Sequence, residues 1–244
     1  MTDAPSTAAY KLKVSVLHIS PMIWRRVVVP ADLMLYGLHR VFQIAFGWED
    51  YHLHAFHVSG RRYGTEWTGQ RHYRRGDDGD LHEVRLSDLP LRVRGKFVYE
   101  YDFGDFWEHE VRLEERAVLD PSRAYPVCTA GARAGPPEDV GGPDGYERLL
   151  QRQSDWHYDL SMGPDRPYED GIPDDLEAEW TDDERWTIAA RLGFDGDDDP
   201  LLRYDPATFD RRAVNSELRR EFASNPTGEP QASGQPTGVA QAAS

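Results

Sequence analysis

Residues 97–113 read FVYEYDFGDFWEHEVRL. On both sides of Gly104-Asp105, aromatic and aliphatic residues alternate with charged ones, the period of two expected of strands. A glycine leading a two-residue connection fits a type II′ turn, whose twist matches the flanking strands. That turn pairs Phe103 with Phe106, Asp102 with Trp107, Glu100 with His109 and Val98 with Val111. One face then carries Val98, Glu100, Asp102, Trp107, His109, Val111 and Leu113. The other carries Phe97, Tyr99, Tyr101, Phe103 and Phe106, followed by Glu108, Glu110 and Arg112. A carboxylate opposite an imidazole favours the charged ring and orients it. Glu100, Asp102 and His109 are therefore candidate acid–base residues. The plainer reading of the Glu100–His109 pair is a cross-strand contact that braces the sheet by about 0.2–1 kcal/mol.

Upstream, Tyr10–His18 alternates strictly, and IWRRVVVP is a second strand ended by Pro30. Their short connection predicts antiparallel neighbours. Leu35, Leu38, Val41, Phe42, Ala45 and Trp48 recur at helical spacing, which predicts a helix over 33–46 with Asp32 as its cap and Gly47 as its stop. Gly37 inside it costs about 1 kcal/mol relative to alanine. Strand character returns at 51–58, weakly at 82–89, and strongly in two runs within 97–117. Downstream, PVCTAGARAGPPEDVGGP (126–143) predicts a long loop, and Pro143 opens a helix in the position proline prefers. TDDERWTIAARLG predicts a helix with Thr181 and Glu184 as a capping box and Gly193 as its end. A last helical piece is expected over 207–222, in two parts.

Strand–strand–helix–strands–helices is the order of an α+β fold, a largely antiparallel sheet with helices packed on one face. The expected organisation is a disordered N-terminus at 1–9, an α+β core at 10–155, an acidic helical extension at 156–223 packed on the core, and a disordered tail at 224–244. The tail is too poor in apolar residues to order.

The 244 residues carry a net charge of −15, distributed unevenly. Residues 1–135 hold 18 basic and 18 acidic side chains; residues 136–244 hold 10 and 25. The second part repels a phosphate backbone. Nucleic acid is disfavoured as a partner except through the loop Arg61–Arg75, where Arg61, Arg62, Arg71, Arg74 and Arg75 cluster; its plainer reading is a solvated loop. No apolar run approaches a membrane span, and no signal peptide is evident at the N-terminus. A single cysteine, Cys128, rules out an internal disulfide and a multi-cysteine zinc site and points to the cytoplasm.

Three further patterns bear on chemistry. His52 and His54, read as strand neighbours with His57 facing away, can share a metal ion if His109, Glu100 or Asp102 supplies a third ligand. Trp24 and Arg26 alternate onto one face of their strand, where Arg26 can stack, clamp an anion, or simply pair with a carboxylate. FDGDDDP places Asp195, Asp197 and Asp199 on alternate positions, but Pro200 and Pro206 stand where a calcium loop needs glycine and glutamate, so that site is rejected.

IWRRVVVPAD, GWEDYHLHAF, YEYDFGDFWEH and YPVCTAGARAGPPEDVGGPDGY, in this order, resemble the plasmid pRiA4b ORF-3-like family over roughly residues 10–215. The resemblance implies a fold and a mobile-element habitat, some members being labelled TnpR as passengers of an insertion element. It implies no reaction. Family members often read CPPEDCGG in the last segment. Here Gly135 and Val140 take the two cysteine positions, which weakens any metal site that depends on them.

These readings favour a cytoplasmic binding or adaptor protein without catalysis, engaging a protein or small-molecule partner through Trp24, Arg26, Asp105, Trp107, Glu138 and Asp139. One alternative is a metal-assisted hydrolase using His52, His54 and His109 with Glu100 and Asp102. The other is a TnpR-like accessory in DNA transactions. No cofactor is expected apart from zinc or another divalent metal under the first alternative.

Overall fold

The structure is a computed structural model that describes residues 7–64, 77–162, 180–223 and 225. Its strands are β1 (Ala8–Val16), β2 (Trp24–Pro30), β3 (His54–Val58), β4 (Arg61–Gly64), β5 (Asp77–Gly79), β6 (Lys96–Tyr101), β7 (Trp107–Val118) and β8 (Val127–Ala132). They form one sheet in the order β5-β4-β3-β6-β7-β1-β2-β8, antiparallel except for the short β4–β5 pair. Among the described residues four helices accompany it: α1 (Leu35–Phe46), α2 (Gly142–Ser161), α3 (Asp182–Arg191) and α4 (Arg211–Phe222). This is the α+β arrangement expected from the sequence.

Alternation decides what each strand buries. In β1, Tyr10, Leu12, Val14 and Val16 face the core, while Lys11 and Lys13 are only partly covered. Beneath that face lies α1, whose Leu38, Val41 and Phe42 are fully buried, Phe42 packing edge-on to Tyr99 at 5.2 Å. Leu218 and Phe222 of α4 join the same core. The opposite face of the sheet is polar and laced with cross-strand pairs. Arg26 forks onto Glu114 at 2.6 and 2.9 Å, Lys96 meets Glu110, and His57 meets Glu100 at 2.8 Å. A second, smaller cluster joins α2 and α3 through Leu149, Trp156, Ile188 and Phe194.

The central hairpin departs from its expected register. The pairs are Tyr101–Trp107, Glu100–Glu108, Tyr99–His109, Val98–Glu110 and Phe97–Val111. Five residues, 102–106, make the connection instead of two. Positive φ falls on Asp102 (58°) and Phe106 (54°), not on Gly104. Asp102 folds the loop back: its Oδ1 accepts from the Gly104 amide at 2.9 Å, and its carbonyl accepts from the Phe106 amide at 2.6 Å. A slip of one residue moves every side chain of a strand to the other face. The register adopted places Phe97, Tyr99, Tyr101, Trp107, His109, Val111 and Leu113 together on the buried side. Glu100 and His109 thus lie on opposite faces, and the acid–base trio drawn from them does not exist.

Other segments differ more locally. α1 begins at Leu35 with Met34, not Asp32, in the N-cap position, and ends as expected at Gly47 in the left-handed region (φ 81°). Residues 82–89 form a turn and a single 3-10 turn rather than a strand. Part of the expected loop 126–143 is β8, held against β2. α2 runs farther than the predicted helix, and α3 keeps the Thr181–Glu184 capping box. α4 starts only at Arg211, with Asp210 accepting from the amides of Arg212 and Ala213. Asp199 caps the 3-10 turn Pro200–Arg203 by accepting from the Leu201 amide. β1 starts at Ala8, within the stretch expected to be disordered. Arg61 and Arg62 lie on β4, whereas Arg71, Arg74 and Arg75, like nearly all of the expected tail, lie outside the described residues. Among the described residues no helix is long and apolar enough to cross a membrane.

Candidate functional site

Three connections meet at one end of the sheet: 47–53 after α1, the hairpin loop 102–106, and 133–141 before α2. Trp48 anchors them. Its indole stacks on Tyr101 at 4.8 Å and its Nε1 donates to the Pro136 carbonyl at 2.8 Å. The Glu138 carboxylate accepts from the Glu49 amide at 3.0 Å and from the Tyr101 hydroxyl at 2.5 Å. Burial, reinforced by that carboxylate, pushes the Tyr101 hydroxyl well up from its ordinary range. Asp105 accepts from the Gly141 amide at 2.9 Å. Two glycines allow this close fit. A Cβ on Gly135 would stand 1.9 Å from the Phe46 carbonyl oxygen, and one on Gly142 (φ 67°) 2.2 Å from that of Asp105. A side chain at 135 does not fit this backbone.

Among the described residues two groups of potential ligands lie at this end, each offering donor atoms within 4.8 Å of one another: His39, Asp50 and His54, and His52, Asp102 and Asp139. The first is buried. His39 Nε2 is 2.7 Å from Asp50 Oδ1, and its Nδ1 is 2.8 Å from the Tyr99 hydroxyl, which also accepts from Gln43 at 3.1 Å. Asp50 is fixed further by Arg40 at 2.9 Å and by its own amide, which donates to Gln43 Oε1 at 2.9 Å. The His54 ring lies parallel to that of His39, centroids 3.4 Å apart. Burial pushes both imidazoles down, His54 further because His39 lies against it. Burial alone would raise the Asp50 carboxyl, but the His39 hydrogen bond and the charges of His39, His54 and Arg40 outweigh it and hold the group low. In the second group His52 Nδ1 is 3.7 Å from Asp102 and Nε2 3.1 Å from Asp139, the latter approach lacking hydrogen-bond alignment.

The residues singled out from sequence separate accordingly. Glu100 pairs with His57 on the polar face. His109 is fully buried among Phe46, Trp48 and Tyr99, where burial pulls its pKa down to about 4, and it joins neither ligand group. The proposed His52–His54–His109 trio is thereby split three ways, because His52 precedes β3 rather than sharing a strand face with His54. Asp102, Asp105, Glu138 and Asp139 do converge. Trp24 and Arg26 do not join them: they lie on the polar face of β2, Arg26 over the Trp24 ring at 5.1 Å and paired with Glu114, whereas Trp107 is buried on the core side. Sequence reading missed His39 and Asp50. The signal for His39 was present: at helical spacing it falls, with Gln43 four residues on, among the buried positions of α1, where a polar side chain needs a partner.

A sequence profile of the family described as plasmid pRiA4b ORF-3-like protein matches residues 8–161. Among curated proteins, the uncharacterized protein y4hQ of Sinorhizobium fredii (strain NBRC 101917 / NGR234) is 36% identical over 151 residues, covering 59% of this chain and 73% of its own. Among solved structures, the protein of unknown function MM3350 from Methanosarcina mazei Go1 superposes with a TM-score of 0.58 at 32% identity, over 84% of this chain and 96% of the other.

Proposed function

We propose that this chain, which belongs to the plasmid pRiA4b ORF-3-like family, is a binding protein that captures a Lys- or Arg-bearing protein segment at the loop end of its sheet. One observation carries the reading. Tyr51 (72% exposed) and Phe106 (60% exposed) project from connections that are otherwise pinned, amid the carboxylates of Glu49, Asp105, Glu138 and Asp139. Exposed aromatics on a rigid acidic base suit an extended basic partner, the rings supplying contact area and cation–π attraction. Phosphate backbones are repelled by the same carboxylates. This disfavours the DNA role that the TnpR label suggests. Mobile-element association rests on the family resemblance alone. A cytoplasmic location accords with the single buried, free Cys128.

The test is a positional-scanning peptide library presented to the full chain. Enrichment of Lys or Arg is expected, with retention falling as salt rises. A double Tyr51→Ala, Phe106→Ala variant should lose at least about tenfold in affinity, the scale of one or two aromatic anchors, with unchanged melting temperature. A library that selects nothing over scrambled controls, or equal retention by the double variant, overturns the reading.

A further inference from the structure

We propose that His39, Asp50 and His54 form a binding site for a divalent transition-metal ion of the zinc type. The observation behind this is His54. Its side chain is more than nine-tenths buried, yet neither ring nitrogen has a hydrogen-bond partner. The His52 carbonyl lies near enough to favour the charged ring slightly but is not aligned to accept. A buried polar group left unpaired costs about 1–3 kcal/mol, and such groups in folded proteins usually mark a missing partner. His54 faces two groups of the right chemistry, a second imidazole and a carboxylate oxygen, with one donor atom of each inside a 4.8 Å span. Two nitrogens and one oxygen suit zinc and its neighbours rather than calcium or magnesium, which take all-oxygen shells.

The surroundings orient the ligands as metal sites require. The Tyr99 hydroxyl holds His39 Nδ1 and so leaves Nε2 directed at Asp50. Asp50 gives one oxygen to Arg40 and presents the other to His39. Arg40 is itself balanced by Glu221 of α4 at 2.9 Å, so the local charge is net negative before a cation enters. His39 Nε2 and Asp50 Oδ1 lie at hydrogen-bond distance, 2.7 Å. Bonds of about 2.0–2.1 Å set neighbouring ligand atoms about 3.3 Å apart. Binding through Nε2 therefore requires the tautomer that carries the ring proton on Nδ1, donated to the Tyr99 hydroxyl, with no net proton lost; it opens the pair by about half an ångström and turns the His54 ring out of its parallel stack. The site ties α1, the loop after it and β3 together beneath the connections that carry Tyr51, and it stands independently of the binding reading.

The test titrates the full chain, first freed of metal by a chelator, with Co2+, whose visible absorption reports nitrogen and oxygen ligation. Saturation at one Co2+ per chain is expected, with displacement by Zn2+. His54→Ala should abolish the band, and His52→Ala, in the neighbouring acidic group, should leave it intact. Tyr99→Phe, which removes only the hydroxyl orienting His39, should weaken binding about ten- to a hundredfold. If His54→Ala does not fold, the ring 15N resonances of wild-type His39 and His54 decide the matter, since both should shift at stoichiometric Zn2+. No saturable uptake by the wild-type chain, or uptake that survives His54→Ala and vanishes in His52→Ala, overturns the assignment.

Discussion

Arg25 carries its guanidinium into the core between Phe46 and Phe209, at 5.0 and 4.1 Å from their rings, and donates to three backbone carbonyls, those of Ala45, Trp24 and Ala132. Burial pulls its pKa down to about 10, which leaves it charged at neutral pH. It links the end of α1 to β2 and β8. Arg25→Met fills much of the volume but strands those acceptors, and should cost about 2–4 kcal/mol in urea unfolding. His109 is the opposite case, an imidazole buried neutral beside the uncharged rings of Phe46, Trp48 and Tyr99. The unfolded chain takes up its proton near pH 6.5, while the folded one resists until about 4. The unfolded state therefore binds more protons across that window, so stability is full above it and falls as pH drops through it, by at most about 3 kcal/mol. The difference between wild type and His109→Phe in urea midpoint, measured from pH 7 to 4, should show that slope; parallel curves would mean the ring titrates normally.

Elements were legible where one pattern governed them. β1, β2, α1 and α3 follow from strict alternation, helical spacing and a capping box. The hairpin register departs from the one the Gly104-Asp105 turn signature predicts because burial parity, not the turn signature, governs it. Phe97, Tyr99 and Tyr101 sit at odd positions, and so do Trp107, Val111 and Leu113. Aligning odd with odd on one buried face requires an odd-numbered connection, so the five residues 102–106 were readable in principle. The convergence of 47–53, 102–106 and 133–141 was not, since nothing local in those segments says that Trp48 reaches Pro136 or that Gly142 lies against Asp105. Gly142 supplies the element-scale prediction. With φ at 67° and the Asp105 carbonyl in its path, Gly142→Ala should destabilise by more than about 1 kcal/mol. The loss should show first as faster amide exchange at 102–106 and in the first turn of α2; unchanged protection there would mean that the loops are not coupled through this contact.

At the scale of the molecule, the sheet has one dry face under α1 and α4 and one face dressed in ion pairs. Its β8 margin is finished by side chains of α4: Asn215 accepts from the Cys128 amide at 2.7 Å and donates to the Cys128 carbonyl at 2.9 Å, and Arg211 donates to the Thr129 carbonyl at 3.0 Å. Bare strand margins recruit further strands. A chain truncated after Asp210 should therefore form concentration-dependent dimers or larger species in size-exclusion chromatography with light scattering, while the intact chain shows no growth at β8. A truncated chain that stays monomeric at high concentration would assign the margin's protection to something else. Two side chains of one helix thus imitate the neighbour that this flank would otherwise seek, and proteolytic loss of α4 would open the flank to accretion.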